Sequence, residues 1–250
     1  MDNMTSEQSN AAPIAVRDLV VRYGRTTVLD GVELDVRRGE ILGLIGLNGV
    51  GKTTLIKTML DLVRPRSGGV EIYGESHRLP QSRRFLAYLP EKFTPSGRLR
   101  GWEYLELTLS YFQMKLDRAE ASDLALSFGL DPAALSRPVG TYSKGMGQKV
   151  GLMATFLSRR PLLILDEPMS GLDPQARGQL KERLLAYRAE GNTVFFSSHI
   201  LADMDEICDT VAVLHASKMR FQGTPAAMRE AWGEAQLERA FMRIVDQYQV

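Results

Sequence analysis

The chain has 250 residues, 44% of them hydrophobic and 24% charged, a globular composition with enough apolar content to bury a core. Thirty-one basic against thirty acidic side chains leave a formal charge of +1, so no net field attracts nucleic acid, and a nucleic-acid partner is not expected. A single cysteine, Cys208, excludes an intrachain disulfide scaffold and points to a reducing compartment.

Residues 1–13 are polar and lack the apolar stretch of a secretory signal; they are expected to form a disordered tail. Residues 14–36, IAVRDLVVRY and TTVLDGVELDV, alternate in polarity and predict two half-exposed antiparallel strands joined near Gly24. EILGLIG is a continuous apolar run, which suits a strand buried on both faces. A helix is expected from Gly51, with Leu55, Ile56, Met59 and Leu60 on one side and an end by Arg64-Pro65. Short strands GGVEIYG and FLAYLP follow, and residues 96–156 then read as a mainly helical insertion before the apolar strand LLILD. Asp173-Pro174 is an N-cap followed by proline at the first helical position, and that helix stops at Gly191. Strand TVFFSS, a short helix to Cys208, and strands TVAVLH and MRFQG complete an alternation that predicts an α/β fold with a parallel sheet. Residues 233–250 are expected to form an amphipathic helix that packs through Leu237, Ala240, Phe241, Ile244 and Val245. The longest apolar runs, residues 41–47 and 162–165, fall far short of the roughly 20 residues of a membrane span, so a soluble chain is expected.

Gly46-Leu47-Asn48-Gly49-Val50-Gly51-Lys52-Thr53 fits G-x-x-x-x-G-K-[ST] without a mismatch, between a buried strand and a helix. The glycines let backbone N–H groups of residues 48–54 wrap a polyphosphate, and the helix N-terminus adds partial positive charge. Lys52 is expected to reach the β- and γ-phosphates, and the Thr53 hydroxyl to ligate Mg²⁺. The bare pattern arises by chance in about one chain in a hundred of this size. Its strand–loop–helix setting makes a glycine-rich turn that binds nothing the weaker reading.

The strand at residues 162–165 delivers Asp166 and Glu167 at its C-terminal end, where ligands of parallel sheets bind. Asp166 is expected to hold Mg²⁺ through water, and Glu167 to orient or deprotonate an attacking water. The strand at residues 194–197 ends on Ser198-His199, which aims His199 at a γ-phosphate; His77 and His215 read as structural or surface residues.

With these residues in place, residues 16–224 resemble the ATP-binding-cassette (ABC) ATPases. Tyr142-Ser143-Lys144-Gly145-Met146 stands where that family has its L-S-G-G-Q signature. Ser143 and Gly145 match; Lys144, which either adds charge or points to solvent, replaces a glycine, and Met146 the glutamine. The resemblance implies that Ser143 and Gly145 contact ATP, that Tyr23 stacks on adenine, and that Ser170-Gly171-Leu172-Asp173 is the D-loop crossing a dimer interface. It places His199 at the switch histidine and Glu91 at the usual glutamine of the Q-loop, where a carboxylate can contact Mg²⁺ or its water. The implied fold is a P-loop NTPase core at residues 14–232 with a mostly parallel sheet, an N-terminal antiparallel β subdomain and an inserted helical subdomain at about 96–156.

The resemblance also implies partners. Two cassettes, identical or related, close head to tail, each ATP lying between the phosphate loop of one and the signature of the other. A separate transmembrane permease is implied as well, which places the chain in the cytoplasm, peripheral on the inner face of the cell membrane. The Y-S-K-G-M signature, the L-P-E at the Q-loop and residues 237–241 resemble ATPases of drug, lipid or polysaccharide exporters. Phe93, Leu99, Trp102, Tyr104 and Leu105 are either the groove for a permease coupling helix or subdomain core. A soluble ABC machine of translation, repair or regulation is the alternative; the phosphate loop and signature are only about 90 residues apart, too few for the coiled-coil arm of such proteins. A cassette that binds ATP without turnover is disfavoured by Glu167 and His199.

Overall fold

The structure, a computed structural model, describes Gln8 and residues 11–93 and 95–248. Strands β1 (Ile14–Tyr23), β2 (Thr26–Val36) and β3 (Ile41–Ile45) lead into helix α1 (Lys52–Met59), then β4 (Ser67–Ile72), the two-residue β5 (Glu75–Ser76) and β6 (Leu86–Leu89). Helices α2 (Gly101–Tyr111), α3 (Arg118–Ser127) and α4 (Lys144–Leu157) form the insertion. The last third runs β7 (Leu162–Asp166), α5 (Pro174–Ala189), β8 (Thr193–Ser198), α6 (Leu201–Ile207), β9 (Thr210–His215), β10 (Lys218–Gly223), α7 (Pro225–Trp232) and α8 (Leu237–Gln247).

These elements form two sheets. The antiparallel sheet has the order β2-β1-β4-β5, and the larger one the order β10-β9-β3-β8-β7-β6, parallel except for β10. The mixed α/β fold expected from the alternation is therefore present. β3 is apolar throughout because it is buried on both faces: Ile41 and Ile45 enter the core on the helical side, Leu42 and Leu44 the core roofed by β1, β2 and α1. β7 divides in the same way, with Leu163 and Leu165 on one side and Leu162 and Ile164 on the other.

Local differences from the sequence reading have plain causes. Helix α1 ends at Met59, short of Arg64, because Asp61 takes the left-handed conformation (φ 60°) and the Leu62 N–H folds back onto the Lys57 carbonyl at 2.8 Å. Helix α7 was not expected, although Thr224-Pro225 repeats the N-cap-then-proline signal of Asp173-Pro174; the Thr224 hydroxyl accepts the Ala227 N–H at 3.0 Å. Of the stretch expected as a disordered tail, residues 1–7, 9 and 10 lie outside the described residues. Arg38 binds the Gln8 and Ala11 carbonyls, and the Gln8 amide donates to Glu75.

Helix α8 packs on α6 and α7, and Leu237, Ala240, Phe241, Ile244 and Val245 are all buried as the spacing predicts. Among the described residues no helix is long and apolar enough to cross a membrane. Ile244→Ala should lower the free energy of unfolding in urea by about 2–5 kcal/mol, whereas Met242→Ala on the half-exposed face should change it by about 0.5 kcal/mol or less.

Candidate active site

The carboxyl ends of β3, β6, β7 and β8 converge on a cleft of about 310 Å³. Leu47, Asn48, Gly49 and Gly51 of the loop after β3 line it with Lys52, Thr53 and Thr54 of α1, Glu91 after β6, Glu167 and Ser170 after β7, and His199 after β8. Each parallel strand thus delivers one set of polar groups to the same sheet edge.

The loop after β3 ends on Gly51, whose φ of 114° is a glycine conformation; a Cβ there would stand 3.0 Å from Val28 and 3.1 Å from Leu29. No side chain caps α1, and its first turn holds no carboxylate. The first amides of α1 and the positive end of its dipole therefore face the cleft uncompensated, the arrangement that binds phosphate. Val50 does not line the cleft with its neighbours. The buried Lys52 ammonium donates to the Gly46 carbonyl at 2.7 Å and lies 3.4 Å from Glu167 Oε1, while Glu167 Oε2 meets His199 Nδ1 at 2.8 Å. Lys52, Glu167 and His199, from three different elements, are one connected cluster.

Beneath them Asp166 is fully buried. Register places it opposite Ser197 across β7 and β8. The Ser197 hydroxyl donates to Asp166 Oδ1 at 2.6 Å and accepts the Glu167 N–H at 3.0 Å, so one side chain orders both carboxylates. Sequence reasoning passed over Ser197, which sits one strand away from the acidic pair with no local signature; its only signal is a polar residue near the end of an otherwise apolar strand. Ser170 was expected only as part of the D-loop, yet it lines the cleft. The Tyr88 hydroxyl is pushed up to about 12 by burial first and then by the charges of Asp166 and Glu91.

The donor set fits magnesium shared with a polyphosphate rather than an ion caged by protein. Among the described residues no three His, Cys, Asp or Glu side chains converge on a metal position. Asp166 Oδ2 is buried without a hydrogen-bond partner, and Thr53 and Glu91 border the cleft. Magnesium commonly takes one or two carboxylates, with phosphate oxygens and water completing the shell.

Ser143, Gly145, Asp173 and Tyr23 are not in this cleft. Tyr23 ends β1 at the turn into β2 and is half-exposed. Ser143 caps α4 by accepting the Met146 N–H at 3.2 Å, and Gly145 lies in that helix's first turn. Asp173 caps α5 and pairs with Lys149 at 3.7 Å; its carboxyl is held below its usual range by the Ala176 N–H first, and by Lys149. The structure therefore forms two separate polar faces, one around Lys52 and one around Ser143. His77 is structural, buried with its ring nitrogen on the Val70 backbone. In the groove sought between residues 91 and 112, Leu105 is fully buried core, while Phe93, Leu99, Trp102 and Tyr104 are half-buried and the Phe93 and Tyr104 rings meet edge to face at 5.1 Å.

A glycine-rich loop at an uncapped helix N-terminus after β3, an acidic pair at the end of β7 two strands away and a separate capped helix in an inserted subdomain define a P-loop nucleotide-binding protein. Comparison with known proteins narrows the class. A family profile described as ABC transporter matches residues 29–170. An uncharacterised ABC transporter ATP-binding protein of a Nostoc species is 38% identical over 78% of this chain and 59% of its own length. The Nod factor export ATP-binding protein I of Burkholderia orbicola is 33% identical over 89% of this chain and 74% of its own. A solved ATP binding subunit of an ABC transporter superposes with a TM-score of 0.86 at 35% identity, covering 92% of this chain and 98% of that one. The chain belongs to the ABC transporter family. It spans somewhat under two thirds of the length of its Nostoc relative.

Ser197→Ala would strip Asp166 and the Glu167 N–H of their shared buried partner. It should cost about 1–3 kcal/mol of stability in chemical denaturation, and the initial rate of any nucleotide hydrolysis should fall with it.

Proposed function

We propose that the chain is the ATP-binding and ATP-hydrolysing subunit of an ABC transporter, in which ATP closes a head-to-tail pair of cassettes and drives a separate membrane permease in export. The observation that carries this reading is the linked placement of Lys52, Glu167 and His199 at the mouth of the phosphate loop. Residues 48–54 bind the phosphate chain through backbone amides, Lys52 neutralises the β- and γ-phosphates, and Tyr23 takes the adenine. Thr53, Glu91 and, through water, Asp166 would hold magnesium, which would supply positive charge to offset that of the phosphates. Glu167 accepts a proton from water as the water oxygen bonds to the γ-phosphorus and the bond to the β–γ bridging oxygen breaks. His199 orients the Glu167 carboxylate through its 2.8 Å contact and reaches toward the γ-phosphate.

A pair of cassettes is supported by the two polar faces. Ser143 and Gly145 stand at a helix N-terminus outside their own chain's cleft, the right chemistry for a phosphate presented by a partner. The second cassette is this chain or a related one. Half-buried Phe93, Trp102 and Tyr104 offer the apolar surface for a coupling helix of the permease. Export is supported by the relative named for Nod factor export. Contact with the permease would place the chain on the cytoplasmic face of the membrane.

Glu167→Gln should retain ATP binding, slow hydrolysis by roughly 10²–10⁴, and accumulate ATP-bound dimers in size-exclusion chromatography. Unaltered turnover in that variant would remove Glu167 from the chemistry. Lys52→Ala should weaken ATP binding in a direct titration and abolish turnover. Affinity purification from solubilised membranes should bring down a polytopic permease; recovery of ribosomes or DNA in its place would sink the transporter reading.

A further inference from the structure

Lys144 occupies a position in the signature where the family it resembles has glycine, and its side chain lies along its own D-loop. The ammonium donates to Ser170 Oγ at 3.0 Å, and the methylene stem covers Gly171, where a Cβ would meet three stem carbons at 3.1–3.2 Å. Gly145 comes so close that a Cβ would stand 2.8 Å from the Gly171 carbonyl. Further along the helix, Gln148 donates to the Pro168 carbonyl at 3.1 Å and the Lys149 ammonium lies 3.7 Å from Asp173. The start of α4 therefore grips residues 168–173, a segment that begins one residue after Glu167.

Glu167 itself has φ of 50°, a left-handed conformation that a non-glycine residue keeps only where its surroundings hold it. Two serines do so. Ser197 receives its N–H, and the Ser170 N–H donates to its carbonyl at 3.0 Å. The Ser197 side is buried in the sheet, whereas the Ser170 side is a surface turn whose side-chain hydroxyl is bonded to Lys144. A shift of the first turn of α4 reaches Glu167 through that turn.

We propose that Lys144 is a positioning residue, a latch between the signature helix and Ser170 that ties the arrival of phosphate at the α4 N-terminus to the placement of Glu167 in the same chain. Resting on the two-cassette reading above, it makes each ATP report its presence to the hydrolytic centre of the neighbouring half-site. The bistable element is the turn at residues 168–171, held on one side by α4 and on the other by β7.

The test is steady-state ATP hydrolysis by the full-length chain carrying Lys144→Met, which keeps the stem over Gly171 and removes the ammonium, Ser170→Ala, and both together. Each single variant should lower kcat about fivefold, and in Lys144→Met the loss should fall on kcat rather than on KM for ATP, because the ammonium is engaged by Ser170 Oγ and acts on Glu167 through that turn. The double variant should be no slower than the slower single one, and Lys144→Arg should recover most of kcat. A Lys144→Met loss that multiplies fully with that of Ser170→Ala would show the ammonium acting elsewhere, on the partner's phosphate, and would overturn the latch, as would an unchanged kcat. Wild-type hydrolysis abolished by Lys52→Ala alongside an indifferent Lys144→Met defeats the latch alone. Absence of wild-type hydrolysis, or hydrolysis indifferent to Lys52→Ala, defeats the nucleotide reading and the latch with it.

Discussion

The register between β7 and β8 sets the positions of Asp166, Glu167 and His199 relative to one another. Pairing Asp166 with Ser197 puts a hydroxyl where it serves a carboxylate and a backbone N–H at once, and this fixes the turn at Glu167. A slip of one residue would set Asp166 against Phe196 or Ser198 and break the pair. Packing against two cores holds both strands, with Leu163, Leu165 and Phe196 on one side and Leu162, Ile164 and Phe195 on the other, and the Asp166–Ser197 pair distinguishes this register from its neighbours. Two hydrophobic cores thus hold a polar contact in place, and that contact holds the acid.

On the proposed function, the same cleft would have to accept a highly charged ligand close to carboxylates. Asp166, Glu167 and Glu91 repel a polyphosphate, while the Lys52 ammonium and the uncapped amides of α1 attract it. Burial amplifies both effects because the local dielectric is low. The two sets are kept apart in space: the amides and Lys52 follow β3, and the acids follow β7 and β6, two and three strands away. A cation between acids and phosphate relieves the repulsion, and the unpartnered Asp166 Oδ2 offers a place for its water.

Much of this order was legible in the sequence because it is local. The phosphate loop is eight consecutive residues, Asp166 and Glu167 end one apolar run, and Asp173-Pro174 marks a helix start that the structure has at Pro174. The five apolar positions of α8 could be read because a helix face repeats with a short period. What escaped was non-local or masked by composition. Ser197 acquires its role only when β8 is laid beside β7, thirty-one residues away in the chain. The reach of Lys144 to Ser170 depends on how α4 crosses the turn after β7. Helix α7 is short, and it was missed although its capping signal was present.

The separation of the two polar faces follows from the insertion of helices α2 to α4 between β6 and β7. Had Ser143 stood beside Lys52 in one chain, a single molecule could enclose its ligand, and loss of the γ-phosphate would rearrange only local contacts. With Ser143 at the head of a helix outside the cleft, the proposed pair would have a phosphate bridge two molecules, and its affinity for the closed pair would then differ from its affinity for either half. That difference is the free energy available for mechanical work, since a ligand shifts an equilibrium only by what it gains in one state over the other. The contacts of α4 to residues 168–173 then decide whether the two halves of such a site act independently. They lie on the one segment shared by the acid of one site and the phosphate cap of the other.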